Sequence, residues 1–220
     1  MPGALSLALQ YISYYVRAWN KHNVHSPFVF KLTTEVIHPD KKLAAFIPIE
    51  QQRKLLKQNA DKILFTELGA GNKSNQRSVS NIAAKSLKSP RYARLLYRLT
   101  NHFQPENIIE LGTSLGITTG YLALSGCKNI YTIDGNKTVS DIAKATLTSV
   151  KLSSNVKFIN GNFDESLPAT LNTLNKVDFV FFDGNHRYQP TLNYFQQCLT
   201  KAHDKSVFVF DDINYSHEMK

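Results

Sequence analysis

The spacing of apolar residues changes character at Gln104-Pro105. Upstream of it, apolar positions recur at helical intervals. Leu7, Tyr11, Tyr14, Tyr15 and Ala18 predict an amphipathic helix over residues 4–19. Ser26 followed by Pro27 predicts a capped helix start, because proline lacks the N–H that a first helical position leaves unused. Further helices are expected over 49–60, 78–86 and 90–103. In the last of these, Tyr92, Leu95, Leu96 and Leu99 form one stripe, and Arg91, Arg94 and Arg98 are expected to face away. Residues 64–72 place Glu67 and a Gly69-x-Gly71 pair after a short apolar run, but polar residues follow instead of an apolar helix. That stretch reads as a loop beside the main site.

Downstream the pattern alternates. Strands are expected over 107–111, 129–134, 156–160, 177–183 and 206–211, with helices over 117–124, 139–150 and 190–201 between them. Apolar strands separated by amphipathic helices specify a parallel sheet covered on both faces, and ligands of such sheets bind beyond the strand C-termini. The chain therefore divides into a helical accessory region, 1–89, and an α/β domain, 90–220.

The polar motifs fall at those strand ends. The first strand closes in Glu110-Leu111-Gly112-Thr113-Ser114-Leu115-Gly116. Gly112 permits a tight turn, Gly116 permits a close helix start, and the helix N-terminus offers backbone N–H groups. A carboxylate at Glu110 suits a ligand bearing an ammonium group. The middle glycine of a dinucleotide fingerprint is absent, which disfavours a nicotinamide-dependent oxidoreductase. Asp134 ends the second strand about 20 residues on, where an acid accepts hydrogen bonds from ribose hydroxyls. Asn162 ends the third and reads either as an adenine contact or as a turn residue.

The fourth strand runs into Asp183-Gly184-Asn185-His186-Arg187-Tyr188 and the fifth into Asp211-Asp212. Neighbouring strands lie about 4.8 Å apart, so three carboxylates converge and need a cation or a basic group to neutralise them. Hard oxygen ligands favour Mg²⁺. His186 is the candidate general base, with Asp183 beside it. Tyr188, His22 and His25 are further candidates for lining the substrate pocket.

From about residue 90 onward, on Glu110, Gly112, Gly116, Asp134 and Asp183, the chain resembles the class I S-adenosylmethionine-dependent methyltransferases. The resemblance implies a Rossmann-like, doubly wound, mainly parallel sheet. It implies that Glu110, Gly112, Thr113, Ser114, Gly116, Asp134, Asn162 and Asp183 hold S-adenosylmethionine. The Asp-Gly-x-His-x-Tyr run and the Asp211-Asp212 pair resemble metal-dependent O-methyltransferases. That likeness puts a divalent ion on Asp183, Asp211 and Asp212, with His186 as base. Asn185 departs from the catechol type, which has a second acid at that place. The family's sheet carries two more strands after the fifth, so with only residues 213–220 remaining the sequence is expected to fall short of it. The expected reaction is O-methylation of a small-molecule hydroxyl. A methyltransferase acting on RNA or another anionic substrate, and a non-catalytic cofactor-binding protein, are the competing readings.

Charge sharpens the first of these alternatives. Residues 1–105 hold 16 Lys and Arg against 5 Asp and Glu, a net +11, whereas residues 106–220 hold 10 against 12. A basic half suggests an anionic partner or a solvated helical face. Cys127 and Cys198 stand apart with no paired spacing, which points to a reducing cytoplasm. The N-terminal segment lacks a basic start and a long apolar run, so neither a signal peptide nor a transmembrane segment is expected. A homo-oligomer is compatible with all of this.

Overall fold

The computed structural model describes residues 11–13, 25–66, 74–214, 216, 218 and 219. Apart from residues 11–13, which are helical, the helix expected over 4–19 lies outside the described residues, as do His22 and the Gly69-x-Gly71 pair.

Chain order begins with α1 (Pro27–Lys31), a π-helical turn at Leu32–Ile37 and α2 (Ile47–Gln58). Ser26 caps α1 by accepting the Val29 N–H, with Pro27 in the first turn. An antiparallel pair, β1 (Lys62–Thr66) and β2 (Ser74–Ser78), then leads into α3 (Val79–Ser86) and α4 (Pro90–Phe103). Residues 64–66 are therefore strand and not the loop the sequence suggested. Their partner strand, Ser74–Ser78, is polar throughout, so the pairing rests on cross-strand backbone bonding that apolar periodicity does not encode.

In α4 the buried positions are Ala93, Leu96 and Thr100, while Tyr92 is 61% exposed. Arg94 and Arg98 do not simply face solvent. Arg94 grips Asp40 through two hydrogen bonds of 2.6 and 2.7 Å, and Arg98 donates to the carbonyls of Val36 and Ile37. Packing of α4 against the π-helical turn has claimed charges that periodicity assigned to water.

The α/β part follows as β3 (Asn107–Leu111), α5 (Ile117–Ala123), β4 (Asn129–Asp134), α6 (Lys137–Ser149), β5 (Val156–Asn160), α7 (Phe163–Asn172), β6 (Phe179–Phe182), α8 (Tyr188–Leu199) and β7 (Val207–Phe210). All five strands of this sheet are parallel, in the order β5-β4-β3-β6-β7. The chain steps outward from β3 through β4 to β5, then returns to the other side of β3. The topological switch point thus lies between β3 and β6, where an open parallel sheet forms its ligand crevice. Helix α7 was not expected. Its start is built by Asn162, which accepts the Asp164 N–H, and Pro168 stands inside it, which weakens its sequence signal.

The helical region does not keep a core to itself. Phe46, Ile49 and Leu56 with Val79, Ile82 and Ala83 pack in one cluster with Leu115, Ile117, Tyr121, Val139 and Leu147. Each such side chain contributes roughly 1.5–3 kcal/mol on full burial, so α2 and α3 are bound to the sheet's covering helices by the strongest force available. The opposite face is built by Leu167, Leu171, Tyr194 and Cys198 against Ile109, Leu111, Val180 and Phe182. No described helix is long and apolar enough to cross a membrane.

Candidate active site

The glycine loop is fixed from three sides. Gly112 adopts φ +109°, and a Cβ there would lie 2.3 Å from the Asp183 carbonyl oxygen. Glycine is thus required both by conformation and by the passing backbone of the next strand. Gly116, at φ +80°, starts α5, and a Cβ on it would press on the Ala143 backbone at 3.0 Å. The Asp183 N–H donates to the Leu111 carbonyl at 2.9 Å, and the Gly112 N–H to that of Ile133 at 2.9 Å. Loop, β4 and β6 are thereby locked together at the switch point.

Glu110 lies beneath this loop with 0% exposure. Its Oε2 accepts the hydroxyls of Thr119 (2.6 Å) and Thr132 (2.7 Å), and Thr132 meets the Thr113 hydroxyl at 2.6 Å. Its Oε1 is buried without a hydrogen-bond partner. Burial pushes the carboxyl up to about 7, against the two hydroxyls that favour its charge. A buried carboxylate oxygen left unsatisfied is costly, and a cationic ligand group would relieve it.

Asp134 uses both oxygens at once: Oδ2 accepts the Ser114 N–H and Oδ1 the Asn136 N–H, each at 2.8 Å. Burial raises its pKa, and those N–H groups oppose the rise. The Ser114 hydroxyl meets that of Ser86 at 2.8 Å, so the loop is also tied to the end of α3. Thr113 is buried, with its hydroxyl in the Glu110 network. Asn162 spends its side-chain oxygen on capping α7. A cradle that any Cβ would fill, an unsatisfied carboxylate oxygen and an acid at the second strand end fit a ligand with an ammonium group and a ribose.

Across the crevice, β6 and β7 end together. Asp183, Asp211 and Asp212 follow them directly, as the sequence indicated. Non-glycine residues at positive φ gather here: Ser114 at 46°, Asn185 at 54° and Asp212 at 52°. Such conformations cost free energy and are held by their surroundings. His186 Nε2 lies 3.6 Å from Asp212 Oδ2. Burial lowers the pKa of this imidazole, against the raising effect of Asp212. It is therefore held toward its neutral, proton-accepting form. Asn185 does not turn to the acids: its amide donates to Tyr194 Oη at 3.0 Å, and Tyr194 in turn donates to Asp164 at 2.9 Å. Tyr188, at the start of α8, is 52% exposed, and His25 is exposed at the start of α1.

One residue of this site escaped the sequence. Lys88, in the short link between α3 and α4, reaches Asp183 with Nζ at 2.9 Å and also contacts the Asp211 carboxylate. Burial alone would depress its pKa, but the two carboxylates outweigh this and raise it, so the ammonium stays charged. The expected divalent-ion site on Asp183, Asp211 and Asp212 is consequently not assembled. The ammonium stands between two of the acids, and the third faces His186. Among the described residues no group of three or more His, Cys, Asp or Glu is placed to hold a metal. The sole sequence sign of Lys88 was the need of three converging acids for a positive charge.

Comparison with known proteins agrees with this geometry. Residues 109–213 match a family described as a methyltransferase domain. The uncharacterized protein R132 of Acanthamoeba polyphaga mimivirus is 30% identical over 154 residues, 62% of this chain and 68% of that protein. A catechol O-methyltransferase of Niastella koreensis is 27% identical over 128 residues, 57% of each chain. The chain thus spans only part of both relatives. Among solved structures, an O-methyltransferase from Bacillus cereus in complex with S-adenosylhomocysteine superposes with a TM-score of 0.61 at 20% identity, covering 87% of this chain and 79% of that one. With the glycine cradle, the second-strand acid and the family match in agreement, residues 109–213 of this chain form a methyltransferase domain on a Rossmann-like fold similar to that of the class I S-adenosylmethionine-dependent methyltransferases.

Proposed function

We propose that the chain methylates a hydroxyl group of a small-molecule acceptor. The observation that carries this reading is the position of His186, a half-buried imidazole with a depressed pKa, 3.6 Å from Asp212 and in the loop that follows β6, three residues beyond Asp183. Glu110, Gly112, Thr113, Ser114, Gly116 and Asp134 would hold the cofactor, with Asp183 beside its reactive end and Asn162 near its adenine. When bound, S-adenosylmethionine supplies an electrophilic methyl group. What the chain must add is an acceptor oxygen held in line and stripped of its proton. His186 is placed to take that proton, and Asp212 to stabilise the imidazolium that results. Similarity to a catechol O-methyltransferase supports hydroxyl chemistry.

The competing nucleic-acid reading rests on the basic first half. Several of those charges are spent inside the molecule: Arg53 on Glu50, Arg94 and Arg98 on Asp40, and Lys88 on Asp183 and Asp211. That leaves less for a phosphate backbone than the formal charge suggests. Incubation with methyl-labelled cofactor and a panel of catechols, phenols and other small hydroxyl compounds, with RNA alongside, tests the choice. Label appearing in a small hydroxyl product is expected; label in RNA alone would overturn the reading.

A further inference from the structure

Asp183 and Asp211 end neighbouring strands, and their charges repel unless something positive lies between them. The structure supplies it from outside the sheet. The Lys88 side chain is only 18% exposed where it meets Asp183 and Asp211, themselves 12% and 30% exposed. Its backbone is anchored too. Arg53, buried to 4% exposure, donates to the Lys88 carbonyl at 2.5 Å. The Arg53 guanidinium is held by Glu50 at 2.9 Å, and Glu50 accepts the Tyr121 hydroxyl at 2.8 Å. A continuous polar chain thus runs from α5, the helix that opens at the glycine loop, through α2 to Lys88. Ser86, two residues earlier, bonds to Ser114 of the loop itself. This ammonium is presented by a built framework and is not a surface lysine folded inward.

A divalent ion needs several oxygen ligands at about 2.0–2.6 Å, and an ammonium touching both carboxylates already supplies the charge they need and takes oxygens the ion would use. We propose that Lys88 is the resident cation of this site: it replaces the divalent metal of the resembling O-methyltransferases, and methyl transfer by this chain is metal-independent. The inference rests on the hydroxyl-transfer reading above. An ammonium has three N–H donors. Two are aimed at Asp183 and Asp211, and the third serves the acceptor oxygen, making Lys88 a positioning residue. His186 receives the hydroxyl proton at its unprotonated ring nitrogen. An oxygen lone pair forms the bond to the methyl carbon while the carbon–sulfur bond breaks, and that bond's electron pair returns to sulfur, leaving a neutral thioether. No redox partner or metal is needed for this balance.

The test is a titration of Mn²⁺ into the whole chain, with free Mn²⁺ read by electron paramagnetic resonance, at saturating S-adenosylhomocysteine. The wild-type chain should leave Mn²⁺ free. Lys88→Met, which keeps the apolar stem and removes the charge, should bind Mn²⁺ at least about tenfold more tightly. Lys88→Met with Asp183→Asn should lose that gain, and Lys88→Arg should never acquire it. S-adenosylhomocysteine affinity, measured in parallel, reports whether each variant is folded. Tight binding of Mn²⁺ by the wild type would overturn the proposal, as would a folded Lys88→Met that binds no better than wild type. If Lys88→Met fails to fold, the wild type and Lys88→Arg decide: Mn²⁺ left free by both supports the proposal, and Mn²⁺ bound by either overturns it. Loss of S-adenosylhomocysteine binding by the wild type is a separate result, and it would instead remove the cofactor assignment.

Discussion

The Asp134 carboxylate accepts the backbone N–H of Ser114 at 2.8 Å, so the acid at the end of β4 is also a strut of the glycine loop. An acid that fixes the loop, and that on the proposed reading would also hold the ribose, gives the site preorganisation, because the loop need not be ordered when the cofactor arrives. A substitution there would remove the strut together with the proposed ribose acceptor.

Gly112 tests the shape of the cradle. A Cβ would stand 2.3 Å from the Asp183 carbonyl oxygen, and φ is +109°. Gly112→Ala should destabilise the fold by roughly 2–4 kcal/mol, through strain and through separation of β3 from β6. Cofactor affinity should fall more than tenfold in whatever folded fraction remains. Chemical denaturation together with titration calorimetry measures both; an alanine variant of wild-type stability and affinity would contradict the packing described.

Glu110 makes stability depend on pH in an unusual direction. Its folded pKa is raised from 4.5 to about 7, so the folded state holds the proton more tightly than the unfolded chain does. The contribution of Glu110 to the stability of the ligand-free protein is therefore fully present below the unfolded value and is lost as pH rises through about 7. The full difference is about 3 kcal/mol for so buried a group. Glu110→Gln keeps an oxygen for the two threonine hydroxyls and cannot ionise. Its denaturation midpoint should fall less steeply than that of the wild type as pH rises through about 7, and above about pH 8 it should exceed that of the wild type. An equally steep decline in the variant would assign the pH dependence elsewhere.

As the proposed base, His186 should govern the acid side of the activity profile. Its pKa lies below the ordinary 6.5, so the base is already neutral near pH 7. Turnover of any hydroxyl acceptor should fall only when the pH drops beneath that ordinary value. His186→Gln should lower kcat on the order of 10²–10⁴-fold and remove the acid limb, with cofactor affinity little changed. A limb retained in the variant would point to another base.

Much of this was legible in the sequence because it is local. Apolar runs of four to six residues ending in Glu110-x-Gly112, Asp134, Asp183 and Asp211 already imply parallel strands with acids at their C-terminal ends. Helix α7 was missed because its short apolar face is interrupted by Pro168, and the β1–β2 pair because β2 is polar throughout and carries no period-two signal. Lys88 was beyond reach for a different reason. It enters the site through tertiary packing, from the helical region that the sequence set apart as accessory. Nothing local distinguishes it from the other basic residues there. The metal expected on three acids and the lysine found on two of them answer the same electrostatic need, and only the packing of α2, α3 and α5 decides between them.

The most direct test is calorimetric titration of S-adenosylmethionine into the wild-type chain and into Asp134→Ala. The wild type should bind at a single site. The variant, having lost both the ribose acceptor and the Ser114 strut, should bind at least tenfold more weakly, a loss of about 1.4 kcal/mol or more. Absence of binding to the wild type, or tighter binding of NAD than of S-adenosylmethionine, would contradict the assignment of the loop from Gly112 to Gly116 as a methyl-donor site.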